Sequence, residues 1–215
     1  GFFNGSDAYY IVTGQENPDE SDDVECYRIT KYDKSWNRIG SVGLDNCNTY
    51  VPFDAGSLRM TESDGYLLIR TCHTMYQSSD GYHHQANVTI QVDVNKMQIT
   101  DSFTDIMNVG YGYVSHSFNQ FIRTDGNKIV AVDHGDAYPR SVVLVEYQTD
   151  FTTGQFISNM GWQDHCKATD LLKIAGGIGN NTTYVNVGGF EVTDSAYIVA
   201  ATSIDQENDG DYYNA

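Results

Sequence analysis

Four stretches of the 215-residue chain repeat one plan, and that repetition limits the available folds more than any other feature. They are "GFFNGSDAYYIVTG" (Gly1–Gly14), "SLRMTESDGYLLIRT" (Ser57–Thr71), "SFNQFIRTDGNKIVAVD" (Ser117–Asp133) and "GGFEVTDSAYIVAAT" (Gly188–Thr202). Each begins with a short strand carrying an aromatic residue or Leu. A Ser-Asp or Asp-Gly turn follows, and then a strand of the Ile-Val or Leu-Leu kind. Asp-Gly and similar dipeptides accept the positive φ angles of tight turns, so each stretch reads as a β-hairpin. Aligned on Ile11, Leu67, Ile129 and Ile198, the copies are 56, 62 and 69 residues apart.

In the first three copies a polar loop and a second pair of strands follow the hairpin. These pairs are "VECYRITKYD" with "RIGSVGL", "ANVTIQVDV" with "KMQITDSF", and "SVVLVEYQTD" with "GQFISN" (Gly154–Asn159). Four antiparallel strands recurring at this interval are the pattern of a β-propeller blade. The expected fold is therefore all-β, in one domain, with units at about 1–56, 57–114, 115–186 and 187–215. A β-sandwich is the alternative use of the same hairpins, and neither WD40 nor kelch signatures occur. Sixteen Tyr, 9 Phe and 20 Gly suit strands and turns. Helical periodicity is confined to "DHCKATDLLKIAG" (Asp164–Gly176), expected as a short helix or turn. The fourth copy stops after one hairpin and an acidic loop. About three and a half blades leave open strand edges, so the sheet is expected to be completed by the remainder of a larger propeller or by a second chain.

With 29 acidic residues against 12 basic ones, the net charge of −17 repels phosphate backbones and argues against nucleic acid. No apolar run approaches the roughly 20 residues of a membrane-spanning helix, so no membrane insertion is expected. The first residues read as a strand already under way. Cys26, Cys47, Cys72 and Cys166 have no CxxC spacing, and an oxidising compartment would leave three pairings open.

In a propeller the first strand of each blade lines the centre. That places Arg59, Ser115, His116, Asn119 and Gln120 near a channel. The loops after the second strands, in "TCHTMYQSSDGYHHQ" and "VDHGDAYPR", gather His73, Asp80, His83, His84, His134, Asp136, Tyr138 and Arg140 on one face. His116 or His134 could serve as nucleophile or acid, with Arg140 holding the anion of a sulfate or phosphate ester. "SHSFNQF" followed by "VDHGDAYPR", about 25 residues, resembles arylsulfotransferase-type propellers, which place a His and an Asn on an inner strand and an Arg on the next. Aromatic rings beside Asp, Asn and His groups equally suit a glycan or a peptide. "DQENDG" offers Asp205, Glu207 and Asp209 as hard oxygen ligands for calcium. The adjacent pairs Cys72–His73 and His165–Cys166 are awkward for zinc, because neighbouring strand residues point to opposite faces. No G-x-S-x-G, Walker or HExxH signature occurs, and "GGIGNN" lacks the Lys-Ser/Thr of a phosphate loop.

Through "PFDAGSLRM" and "YLLIRTCHTMYQSSDGYHHQ" the chain also resembles uncharacterised surface-exposed propeller-repeat proteins of bacteria. That resemblance assigns no biochemical activity; the leading reading is a non-catalytic binding or scaffold module, extracellular or at a cell surface, recognising a glycan or protein on its loop face. The alternative is a propeller enzyme acting on a sulfate, phosphate or glycosidic ester. An enzyme requires His and Arg side chains to converge on one point. A binding module leaves them splayed, with exposed aromatics beside them.

Overall fold

Alternating strands separated by tight turns pair with their immediate neighbours, because short connections favour antiparallel hairpins. The structure, a computed structural model, describes residues 1–106, 108–109, 113–114, 117–126, 128–148, 166–204 and 212–214. Every regular element among them is a β-strand.

Sheet I contains β1 (Phe2–Asn4), β2 (Tyr9–Gly14), β3 (Tyr27–Tyr32) and β4 (Arg38–Leu44), in that order. Sheet II contains β5 (Thr49–Pro52), β6 (Arg59–Ser63), β7 (Tyr66–Gln77), β8 (His83–Asp93) and β9 (Gln98–Phe103). Strand β7 is long enough for β6 and β5 to pair end to end along one of its edges, while β8 and then β9 follow on the other. A small ladder, β10 (Asn108–Val109) with β11 (Tyr113–Val114), precedes sheet III. Sheet III runs β12 (Ser117–Asp125), β13 (Lys128–Gly135), β14 (Ser141–Gln148), β15 (Cys166–Lys173). Sheet IV runs β16 (Asn186–Val192), β17 (Tyr197–Ile204), β18 (Tyr212–Asn214).

The sheets stack in chain order, each interface sealed by aliphatic and aromatic side chains. Tyr10, Val12 and Ile29 of sheet I meet Leu67, Ile69 and Ile90 of sheet II. Leu68 of sheet II meets Ile122, Ile129 and Val143 of sheet III, and Val130 and Val132 meet Val187 and Phe190 of sheet IV. Burying such side chains stabilises the stack by roughly 1.5–3 kcal/mol each. First strands come together: β12 contacts both β6 and β16. Successive antiparallel sheets, each built on a meander of three or four consecutive strands and with converging first strands, are β-propeller blades, as the repeat requires. Among the described residues no extensive strand contact joins sheet I to sheet IV.

Some expectations change. Within the stretch expected as a helix or turn, Cys166–Lys173 is strand β15, because pairing with β14 occupies its backbone groups while Ala168 and Leu172 pack on opposite faces. It, and not Gly154–Asn159, supplies the fourth strand of sheet III; residues 154–159 lie outside the described residues. The fourth copy has a third strand, β18. Strand β5 was not foreseen. The fourth copy is also out of phase by one residue. Leu67 and Ile129 face the preceding sheet, whereas in β17 Val199 does so and Ile198 points away from it. A one-residue slip in a strand exchanges its two faces.

Candidate functional site

In an antiparallel meander the connections alternate between two ends. The turns joining second to third strands therefore share an end with the connections between sheets. On this end lie residues 15–26, 78–82, 136–140 and the β15–β16 connection, 174–185. Thr71–Gln85 and Val132–Arg140 do occupy the same slot in successive sheets. The loops are shorter than the sequence suggests, however, since β7 runs to Gln77 and β13 to Gly135.

His73 is consequently strand and not loop. It is fully buried, with Nδ1 2.7 Å from Thr49 Oγ1 on β5, and burial lowers its pKa to about 4. So placed, its ring is closed off from solvent. In the β7–β8 turn, Asp80 accepts hydrogen bonds from Ser78 Oγ and Tyr82 N, and lies 2.7 Å from His84 Nε2. These partners, Ser78 foremost, hold its carboxyl well below the usual range. His83 Nε2 lies 2.7 Å from Glu20 Oε1 of sheet I, and its ring stacks on Tyr50 at 4.2 Å. Glu20 also accepts from Gln77 N, so the His83–Glu20 pair clasps two sheets together.

The second cluster is built on sheet III. Arg140 spends its guanidinium on closing the loops: Nε donates to Asp136 O, Nη1 to Gly176 O, and Nη2 to Asp136 Oδ1 at 2.8 Å and Asn180 O. Asp136 accepts in addition from Gly179 N at 2.9 Å. Gly176 (φ 102°) has to be glycine, because a Cβ there would lie 2.0 Å from Asn180 O. "GGIGNN" is thus a turn folded around an Arg–Asp pair. His134 is half-buried on β13, edge-on to Phe118 at 6.1 Å. Burial lowers its pKa; Asp136 opposes that shift and Arg140 adds to it. Among the described residues, neither Asp80, His83 nor His84 bonds to His134, Asp136 or Arg140, so the two loops do not form one cluster.

Near the converging first strands, Asn119 donates to Val187 O at 2.6 Å and accepts from Ser57 Oγ at 2.8 Å. Arg59 lies over the Phe121 ring at 4.6 Å. These groups fasten sheets II, III and IV to one another. Ser115 and His116, and the calcium candidates Asp205, Glu207 and Asp209, lie outside the described residues. Among the described residues no group of three or more His, Cys, Asp or Glu could hold a metal ion. Cys26, Cys47 and Cys72 are buried free thiols.

The strongest polar constellation was missed by sequence reasoning. Arg70 of β7 and Asp133 of β13, both fully buried, form a two-pronged pair: Nε to Oδ1 at 3.1 Å and Nη2 to Oδ2 at 2.5 Å. Thr89 Oγ1 and Tyr147 OH accept from the same guanidinium, and Asn87 Nδ2 donates to Asp133. Asn87 Oδ1 in turn accepts from Ser117 and from Gln120 Nε2. A charged residue inside each of the apolar runs "YLLIRT" and "KIVAVD" was the available signal. Buried charges persist only when paired and hydrogen-bonded.

No protein-family model matches the chain, and no curated protein sequence matches it. Among solved structures, it is similar to the crystal structure of the GH43 protein BlXynB from Bacillus licheniformis, and to that of a mutant of the same protein. Each comparison gives a TM-score of 0.47 at 11% identity, covering 100% of this chain and 40% of the other. The chain thus spans about two fifths of the structures it matches. Likeness at that level assigns no activity.

Proposed function

We propose that the protein is a non-catalytic binding or scaffold module, extracellular or at a cell surface, which recognises a glycan or protein through its loop end. The observation that carries this reading is where the Arg140 donors go. Four of its five N–H groups end on protein oxygens, which leaves at most one to meet a sulfate or phosphate. Tyr82, Tyr138 and Tyr184 stand exposed on that same end, with Asp80 and His84 beside Tyr82 as hydrogen-bonding groups. Rings offered to solvent next to fixed polar groups favour adhesion over turnover.

One observation favours the enzyme reading: His134 lies within electrostatic reach of both Asp136 and Arg140. A single experiment separates the two. The chain is tested on a glycan array and against sulfate, phosphate and glycosidic esters, alongside Tyr82→Ala, Tyr138→Ala and His134→Gln. The binding reading expects array signals weakened about tenfold by each Tyr variant, from the loss of roughly 1.4 kcal/mol of ring contact, with no ester turnover. Turnover abolished by His134→Gln would reject it. The proposed completion of the propeller by further chain, and calcium at 205–209, are separate proposals; mass of the mature polypeptide tests the first, and a chelator-dependent melting temperature the second.

A further inference from the structure

Cys26 and Cys47 lie on two segments that run side by side where sheet I meets sheet II. Cys26 ends the β2–β3 loop just before β3, and Cys47 is in the connection from β4 to β5. The β3–β4 ladder continues past its last register pair, Tyr27 with Leu44, because Cys26 N donates to Leu44 O at 2.9 Å. Asn46 N donates in turn to Asp22 O at 2.9 Å. The chain then doubles back, and Asn46 (φ 44°) and Asn48 (φ 48°) supply the left-handed backbone that the bend requires. Beyond the bend, Thr49 O accepts from Cys26 Sγ at 3.5 Å. Residues 44–49 therefore form an arc with both ends on Cys26 and Cys47 near its middle.

Both sulfurs are enclosed by this arc. Cys26 and Cys47 are each 1% exposed and belong to one core cluster. Cys47 Sγ donates to Leu44 O at 4.0 Å, the carbonyl that also accepts from Cys26 N. Each thiol is within side-chain hydrogen-bonding reach of the other. The other two cysteines are placed elsewhere: Cys72 is on β7, where its Sγ donates to His73 O at 3.8 Å, and Cys166 is on β15 of sheet III. A buried thiol packs as a small apolar group, so the distinctive chemistry of two in contact is oxidation to a disulfide.

We propose that Cys26 and Cys47 are a disulfide-forming pair, oxidised while this part of the chain is open and sealed when it closes. The oxidant is a low-molecular-weight disulfide, RSSR. One cysteine thiolate attacks a sulfur of RSSR, giving a mixed disulfide and RS⁻, and the second then displaces the other RS⁻ as the Cys26–Cys47 bond forms. The two cysteines lose two electrons, RSSR gains them, and the two protons leave on two RSH. Burial pushes the Cys26 thiol up to about 12 and raises that of Cys47 as well, so the closed protein holds few thiolates. Exchange therefore belongs to folding, or to opening of the connection at its exposed residues Asp45 and Asn46. The bond ties the 15–26 loop, which carries Glu20 of the His83 clasp, to the start of sheet II. The pairing stands without the loop-end reading; only the presence of an oxidant around the protein rests on its being extracellular.

Refolding of the reduced 215-residue chain in a glutathione redox buffer, followed by alkylation and peptide mapping, tests the pairing. A cross-linked peptide joining Cys26 to Cys47 is expected, with Cys72 and Cys166 alkylated. The bond closes a loop of about 22 residues, so the oxidised protein should melt roughly 6–12 °C above the chain refolded in excess dithiothreitol. Cys26→Ala and Cys47→Ala should each abolish that oxidant-dependent rise, and Cys72→Ala should keep it. Oxidised glutathione added to the folded, reduced protein should cross-link it at least tenfold more slowly than the refolding chain. A bond to Cys72 or Cys166, a stable mixed disulfide with glutathione at Cys26 or Cys47, or no rise in melting temperature would each overturn the proposal. Equally fast oxidation of the folded and the refolding chain would overturn it too. Mapping uses the unaltered sequence, so a variant that fails to fold leaves the result standing. Glycan binding plays no part in the readout, so this pairing and the loop-end reading fail separately.

Discussion

His73 illustrates how a residue that looks functional in sequence becomes structural in place. Strand β7 continues through it, β5 covers it, and its ring is sealed away with Thr49 for a partner. Burial penalises the imidazolium, so the folded pKa of about 4 lies below the ordinary 6.5. Between those values the unfolded chain binds a proton that the folded chain refuses. Unfolding free energy therefore falls as pH drops from 6.5 to 4, by about 3 kcal/mol for this group, and is unaffected by it above 6.5. Urea melts at pH 7, 5.5 and 4.5 check this. The parent should lose stability steeply over that range, while His73→Gln should lose less between pH 7 and 4.5. Equal slopes for the two proteins would remove His73 as the cause.

At the scale of elements, two connections that share an end are tied by one side chain. Arg140, in the β13–β14 turn, reaches the carbonyls of Gly176 and Asn180 in the β15–β16 connection, and Asp136 takes the amide of Gly179. No apolar core holds residues 176–180, which are exposed, so these hydrogen bonds fix their path. Arg140→Ala should therefore loosen the connection while sparing the sheet. The expected cost is about 1–3 kcal/mol of local stability, because charge-assisted hydrogen bonds are removed and Asp136 loses its ion partner. Hydrogen exchange should accelerate at residues 176–180, with the β13–β14 ladder still protected. Faster exchange throughout sheet III would mean that Arg140 supports the blade and not merely the loop.

At the scale of the whole molecule, one buried charge pair crosses the interface between sheets II and III. Removing one member leaves the other unpaired away from water, which costs about 3–5 kcal/mol. Asp133→Asn should lower the unfolding free energy by that order, whereas Arg70→Met with Asp133→Leu should cost less than either single change. Denaturant melts of the parent, Asp133→Asn, Arg70→Met, Asp133→Leu and the double variant test this, and additive losses in the last three would refute it. Arg70 and Asp133 also mark the limit of what the sequence discloses. Hairpin turns and strand alternation act over a few residues, so the repeat, the all-β class and the positional likeness of the 78–82 and 136–140 turns could be read directly from the chain. The row of Phe2, Tyr9 and Trp36 was not legible, because these residues lie up to 34 positions apart and meet only when β1 pairs with β2 and β2 with β3, which brings the β3–β4 turn beside them. Face assignment in β17 escaped for a related reason: one residue of phase decides whether Ile198 or Val199 enters the core, and packing against sheet III sets it. Local chemistry therefore determined the strands and turns. Only the tertiary structure decided which His is buried, which Arg is spent on a loop and which rings face water, because each outcome depends on a partner supplied by another sheet.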